Sequence, residues 1–295
     1  MKKGNHRLKH LQGALVAAAA ASLILCLSHT ALAATEGRFI AGPVLRYDWW
    51  SPFFENYMRG SGRGGSLVST CDVNDSAFFY GPLLGYRFSE RWRIEGIFLF
   101  SARNGYRADS RRFFALPGAL VYEGRTLRFI DCYELQVAAV YSPARMLRVF
   151  AGVRSQLHQG SGSSIMLVGT GTEIFPLRPT ARMIDYRAGL MAGAGSTFPL
   201  GAGFAVDMAL TILCMPGEHR ERGPVMNRYP FISFGGIGEL ALAFTPGSVG
   251  VTISLGGRYQ ALTQVPLPGA DWSMAGTRPR CDQSGGLTAS ASFAL

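Results

Sequence analysis

The chain has 295 residues, with 29 Lys and Arg against 19 Asp and Glu, a net charge of +10, and 37 glycines. At 48% apolar and 16% charged it is too apolar for a disordered segment. Its basic balance does not indicate nucleic acid as a partner, because all three lysines (Lys2, Lys3, Lys9) lie in the first ten residues. Beyond them only arginines remain, and planar guanidinium groups suit paired, partly buried sites.

Residues 1–33 have the three parts of a secretory signal peptide. Lys2, Lys3, Arg7 and Lys9 are basic, 13–27 is an uninterrupted apolar run, and Ala31-Leu32-Ala33 supplies small residues for cleavage after Ala33. The mature chain is then expected to be exported, with a net charge of +6, 25 arginines and no lysine. It keeps Cys71, Cys132, Cys214 and Cys281. None sits in a metal-ligand spacing, so no metal and no cofactor are expected, while export permits disulfides.

The mature sequence alternates with period two in ten stretches. The first, 38–50, sets Phe39, Leu45, Tyr47 and Trp49 opposite Arg38, Arg46 and Asp48. Stretches 77–88 and 92–103 follow, the second setting Ile94, Phe98 and Phe100 against Arg93, Glu95 and Arg103; Arg87 shares the polar side. Next come 127–141, with Arg128 and Glu134 on the polar side, and 146–158, with Arg148 and Arg154. Then come 184–195 (Asp185, Arg187), 204–214 (Asp207), 232–244 (Glu239), 251–260 (Arg258) and 287–295. Short turns join them alternately with long polar segments at about 51–76, 104–126, 159–183, 215–231 and 261–286.

Long loops at one rim, short turns at the other and strands that are apolar outside describe a transmembrane β-barrel. Only a helix or a closed barrel satisfies every backbone polar group in lipid, and no apolar run in the mature part is long enough for a spanning helix. The expected fold is all-β: an up-and-down antiparallel barrel of ten strands, with eight as the alternative. Residues 34–295 form that single domain, with five long extracellular loops. A soluble sandwich or lipocalin-like barrel also alternates, but it would bury the apolar face rather than present it.

The final stretch, "GGLTASASFAL", resembles the terminal strand of bacterial outer-membrane barrel proteins. Phe293 and Leu295 occupy the positions of that signal, although the family usually ends in Phe. The resemblance implies outer-membrane lipids and the barrel-assembly machinery as partners, and the outer membrane of a diderm bacterium as location. Residues 37–52 look like the first strand of small OmpW-type barrels, which implies passage of small hydrophobic solutes.

The inner parity carries Arg38, Arg46, Arg87, Arg93, Arg103, Arg128, Arg148, Arg154, Arg187 and Arg258, with Asp48, Glu95, Glu134, Asp185, Asp207 and Glu239. Two readings stay open for this set. One is a narrow porin-like channel for small solutes, whose positive surplus favours anions and whose inward glycines make room. The other is a filled interior, in which buried charges must pair. With a filled interior, the protein would act as a surface adhesin or ligand-binding barrel. The loops carry 13 of the 25 arginines, so host or environmental ligands with acidic groups would suit them.

Barrel closure makes the first and last loops neighbours, so Cys71–Cys281 is the preferred disulfide, with Cys132–Cys214 second. No enzyme is expected. The omptin surface proteases pair His with neighbouring Asp, and neither His158 nor His219 has an Asp within two residues. A hydrolase using His158 is the minor alternative.

Overall fold

The computed structural model describes residues 38–51, 67–74, 76–101, 106–115, 121–169, 173–175, 182–222, 226–246, 250–267 and 280–294. Among the described residues there are thirteen strands: β1 (Phe39–Ser51), β2 (Leu67–Asn74), β3 (Ser76–Arg87), β4 (Trp92–Ser101), β5 (Tyr106–Ala115), β6 (Val121–Ala144), β7 (Leu147–Gly169), β8 (Glu173–Phe175), β9 (Arg182–Gly201), β10 (Phe204–Arg222), β11 (Met226–Phe244), β12 (Val251–Pro266) and β13 (Arg280–Ala294). Ten of them close a ring of antiparallel pairs in the order β1-β3-β4-β6-β7-β9-β10-β11-β12-β13. The seam is β1 against β13, running from Ile40↔Ala294 to Ser51↔Gln283. The remaining three extend the wall: β5 pairs with the far half of β6, β2 pairs with β5, and β8 pairs with β7.

Each of the ten alternating stretches is a ring strand, which fixes the count at ten rather than eight. Five strands run much further than their alternation. The strands β6, β7, β9, β10 and β11 have 19 to 24 residues, about twice the 9–11 that cross a bilayer. Segment 215–231, read as a loop, is almost entirely the paired continuation of β10 and β11, with Arg222 opposite Met226. The expected loops at 104–126 and 159–183 likewise hold β5, β8 and strand extensions. Above the bilayer neither face of the wall contacts lipid, so the polarity alternation fades while the hydrogen-bonded ladder continues.

Outward side chains form the apolar band. Leu210 is 73% exposed and Ile212 70%, with Leu190, Leu240, Leu255 and Leu287 also exposed. A patch of this extent on a soluble monomer would be an aggregation site; here it is a lipid face. Aromatic pairs mark its two edges. Phe39–Tyr86, Trp92–Tyr141 and Phe204–Phe244 lie at the short-turn end, and Trp49–Tyr259 and Tyr80–Phe100 lie further up. The described residues thus form a closed antiparallel barrel whose apolar outer band is the surface of a membrane-spanning barrel.

Inside, the inner parity is more apolar than its charges suggest. One buried cluster joins Trp50, Phe79, Leu99 and Ile130 to Met183 and Phe231, side chains from opposite sides of the ring, so it spans the bore. A second holds Met191, Leu213, Met215, Ile237 and Leu262. The inward glycines do not open room as expected. At Gly42 and Gly81 an added Cβ would overlap the carbonyl oxygens of Ala291 and Phe98 on the neighbouring strand, so these glycines permit close backbone approach. Each precedes a proline, and Pro43 lies directly opposite Pro82. The ladders toward β13 and β4 skip these positions, because proline has no N–H to donate.

Candidate functional site

Charged groups carried into the bore must be paired there, and the strand registers bring pairs together across it. Glu134 on β6 is the hub. It accepts both arms of the Arg46 fork, Nη1 at 3.2 Å and Nη2 at 3.0 Å. Gln156 Nε2 donates to it at 3.1 Å, and Arg154 Nη2 and Arg258 Nη1 lie at 2.8 and 3.7 Å. Arg46 also meets Asp48 at 2.7 Å and lies over the Phe79 ring. The strands β6 and β12 are on opposite sides of the ring, so these contacts bridge the bore.

A second group adjoins the first. Asp282 on β13 receives Arg187 Nη1 at 2.6 Å, Trp50 Nε1 at 2.6 Å and Gln264 Nε2 at 3.4 Å. Arg187 Nε donates to Gln156 Oε1 at 2.8 Å, which links Asp282 back to Glu134. All of these side chains are buried. Among them, and next to Tyr106 and His158, lies a cavity of ≈ 20 Å³, which holds about one water.

Further toward the long-loop rim, Asp185 is flanked by two histidines. His219 Nδ1 is 3.4 Å from one carboxylate oxygen and His158 Nδ1 is 3.7 Å from the other. The register explains the trio: His158 and His219 both lie directly opposite Asp185, on β7 and β10. His158 also stacks on Trp50 at 4.4 Å. Neighbouring positions in sequence concealed this arrangement, because the Asp is supplied by an adjacent strand.

Toward the short-turn rim the pairs are partly solvated. Arg93 meets Glu95, Arg148 meets Asp207 at 3.4 Å beside Thr197, and Arg258 meets Glu239 at 3.4 Å. Arg38 and Arg87 stand exposed at that rim, where the Arg87 N–H donates to the Arg38 carbonyl. Arg103 and Leu295 lie outside the described residues, as do residues 1–37 and the side chains of Arg128 and Cys71.

Two expectations about the interior change. Among the described inward side chains, six arginines (46, 93, 148, 154, 187, 258) are matched by seven carboxylates (48, 95, 134, 185, 207, 239, 282), while Arg103 and the Arg128 side chain lie outside the described set. Asp282, assigned to a loop, supplies the seventh. The cysteines are not bridged: Cys132, Cys214 and Cys281 are free. Cys132 points into the bore while Cys214 and Cys281 point outward, so Cys132 and Cys214 face opposite sides of the wall.

Sequence reasoning placed Gln156 on the polar face of its strand but missed Gln260, Gln264, Trp50, Asp282 and His219 as interior groups. For Trp50 the inward parity was available. For His219, Gln264 and Asp282 the signal was only that the alternation of β10, β12 and β13 could be carried past the apolar band.

No family model matches this chain, and no curated protein matches it. Among solved structures it is similar to the outer membrane protease OmpT from Escherichia coli, at 10% identity and a TM-score of 0.47, covering 88% of this chain and 98% of that one. It is also similar to the translocator domain of the autotransporter NalP from Neisseria meningitidis, at 11% identity and a TM-score of 0.38, over 95% and 97% of the two chains. A third likeness is to the COG4313 outer membrane channel from Pseudomonas putida F1, at 11% identity and a TM-score of 0.34, over 87% and 96%. A protease, a translocator and a channel differ in activity, so function has to be argued from this chain's own residues.

Proposed function

We propose that this protein is a closed outer-membrane barrel that works at its outer face, binding surface ligands with acidic groups, rather than an open conduit. The observation that carries this reading is the cross-linked bore: Glu134, Arg46, Arg154, Arg187, Arg258 and Asp282 join opposite walls, all buried, around a cavity of ≈ 20 Å³. A hydrated ion needs a continuous wet path, and the space enclosed between Arg46, Glu134, Gln156 and Arg187 at mid-bore holds about one water, whereas the wider space of ≈ 730 Å³ beside Glu239 and Arg258 lies toward the short-turn end. Where the chain invests its length supports the same reading. Five strands project the wall well beyond the bilayer, and the arginine-rich segments 107–112 and 219–222 lie on that projection.

A narrow channel is the second reading. It is favoured by the partly solvated pairs at the short-turn end, where the Glu239 side chain is 50% exposed, and by the likeness of residues 37–52 to OmpW-type first strands. The purified, refolded protein in a planar bilayer separates the two. The closed reading expects no current steps above background from protein that still shows heat-modifiable mobility. Discrete steps from that protein would overturn it in favour of the channel, and loop or wall exchanges that abolish binding to acidic glycans would support it.

A further inference from the structure

On the outer wall, charge begins where the apolar columns end. Up β10 the outward residues are Met208, Leu210, Ile212, Cys214 and Pro216, followed by Glu218 and Arg220. Up β11 they include Leu242, Leu240, Phe234, Ile232 and Pro230, followed by Arg228. From Phe204 to Pro216 the column is roughly 30 Å tall at the usual strand rise and tilt, close to the ~25 Å apolar band of such barrels. The next residues therefore stand at the level of lipid headgroups.

The register sets Arg220 directly opposite Arg228 and Glu218 opposite Pro230. The two arginine side chains are 46% and 56% exposed, on the outward face. Like charges directly across a ladder repel, so this pair is costly unless something anionic shares it. Glu218 is part of the answer. Arg220 Nη2 donates to its Oε2 at 2.6 Å, and Arg228 Nε lies 3.8 Å from its Oε1. The hydrogen bond from Arg220 holds the Glu218 carboxyl below the usual carboxylate range, so it stays ionised. One carboxylate cancels one of two positive charges and engages one nitrogen of each fork, and each guanidinium has five N–H donors. Tyr186, opposite Glu218 on β9 and 48% exposed, adds an interfacial ring beside the pair.

We propose that Arg220 and Arg228, aligned by Glu218, bind the phosphate of an outer-leaflet glycolipid headgroup. The forks match phosphate oxygens bidentately, the residual positive charge suits a phosphate monoester, and the apolar columns below receive the acyl chains. The site lies on the outside of the wall and does not depend on whether the bore conducts.

The test uses the full refolded protein in detergent micelles, with native mass spectrometry reading retained bisphosphorylated lipid A. The variant R220Q/R228Q is expected to retain it at least about tenfold more weakly, while R145Q, at the exposed short-turn rim, retains it as the parent does. R220K/R228K keeps both charges but loses the forks, and a loss of several-fold is expected from it. This variant carries the test if the glutamine pair impairs folding. Dephosphorylated lipid A should be retained equally by parent and double variant. The proposal is overturned if heat-modifiable R220Q/R228Q retains bisphosphorylated lipid A undiminished. It is also overturned if the parent favours the dephosphorylated lipid, or if inorganic pyrophosphate competes as well as the lipid, which would make the ligand a free phosphate.

Discussion

Glu134 is the side chain on which the interior most depends. Its two oxygens hold Arg46 bidentately, accept from Gln156 and face Arg154 and Arg258. Changing Glu134→Gln keeps the shape and removes the one anion shared by three buried guanidinium groups. Breaking a buried ion pair from one side costs about 3–5 kcal/mol, so urea unfolding in micelles should show a loss of that size. Its inward parity was legible in the alternation of 127–141, but its partners were not, since Arg46 lies 88 residues away. Leu210 makes the opposite case. A surface leucine of a soluble protein tolerates arginine, whereas Leu210→Arg in the lipid-facing wall is expected to cost about 2–4 kcal/mol, read as a lowered folding midpoint in vesicles. An unchanged midpoint would contradict the outward assignment of this face.

At the scale of the element, the terminal strand β13 shows both the reach and the limit of pattern reading. Its alternation from Leu287 onward placed Leu287, Ala289 and Phe293 outward, and the structure agrees, with Leu287 and Phe293 exposed. Its upper half, from Arg280 to Gly286, carries no apolar alternation, yet it pairs with β1 and β12 and delivers Asp282 to the bore. The same holds for β10, whose upper half carries His219 inward and Arg220 outward. Closure at β1–β13 has a direct check. Val44 and Ser290 face each other in register on the inner side, so Val44→Cys with Ser290→Cys, in a background lacking the native cysteines, should cross-link on mild oxidation. Cysteines at Val44 and Thr288 are two residues out of register, on the diagonal, and should cross-link poorly.

For the whole molecule, the cross-bore contacts act as struts. Arg46–Glu134 joins β1 to β6, Arg187–Asp282 joins β9 to β13, and Arg258 on β12 reaches Glu134 on β6. Such a barrel is braced through its middle, and among the described residues the partly solvated interior pairs lie toward the short-turn end. Removing a strut together with its bulk should open a wet path. Arg46→Ala with Glu134→Ala, which leaves the net charge unchanged, is expected to raise bilayer conductance above that of the parent. A double variant that stays silent while folded would show that the apolar cluster spanning Trp50, Phe79 and Phe231 seals the bore without the charges.

The sequence alone determined the class of the molecule. Ten strands, their lipid-facing parity and the alternation of short turns with long segments follow from period-two patterning, a local property that a bilayer enforces on every wall residue. The tertiary structure decided which charges meet. Contacts between residues 88, 95 and 232 apart in sequence depend on the register of every intervening strand and on the closure of the ring. That closure paired Arg46 and Arg154 with Glu134 and Arg187 with Asp282, set Asp185 between His158 and His219, and put Cys132 and Cys214 on opposite faces of the wall. Alternation assigns a side chain to a face of the wall; only the closed ring assigns its partner across the bore.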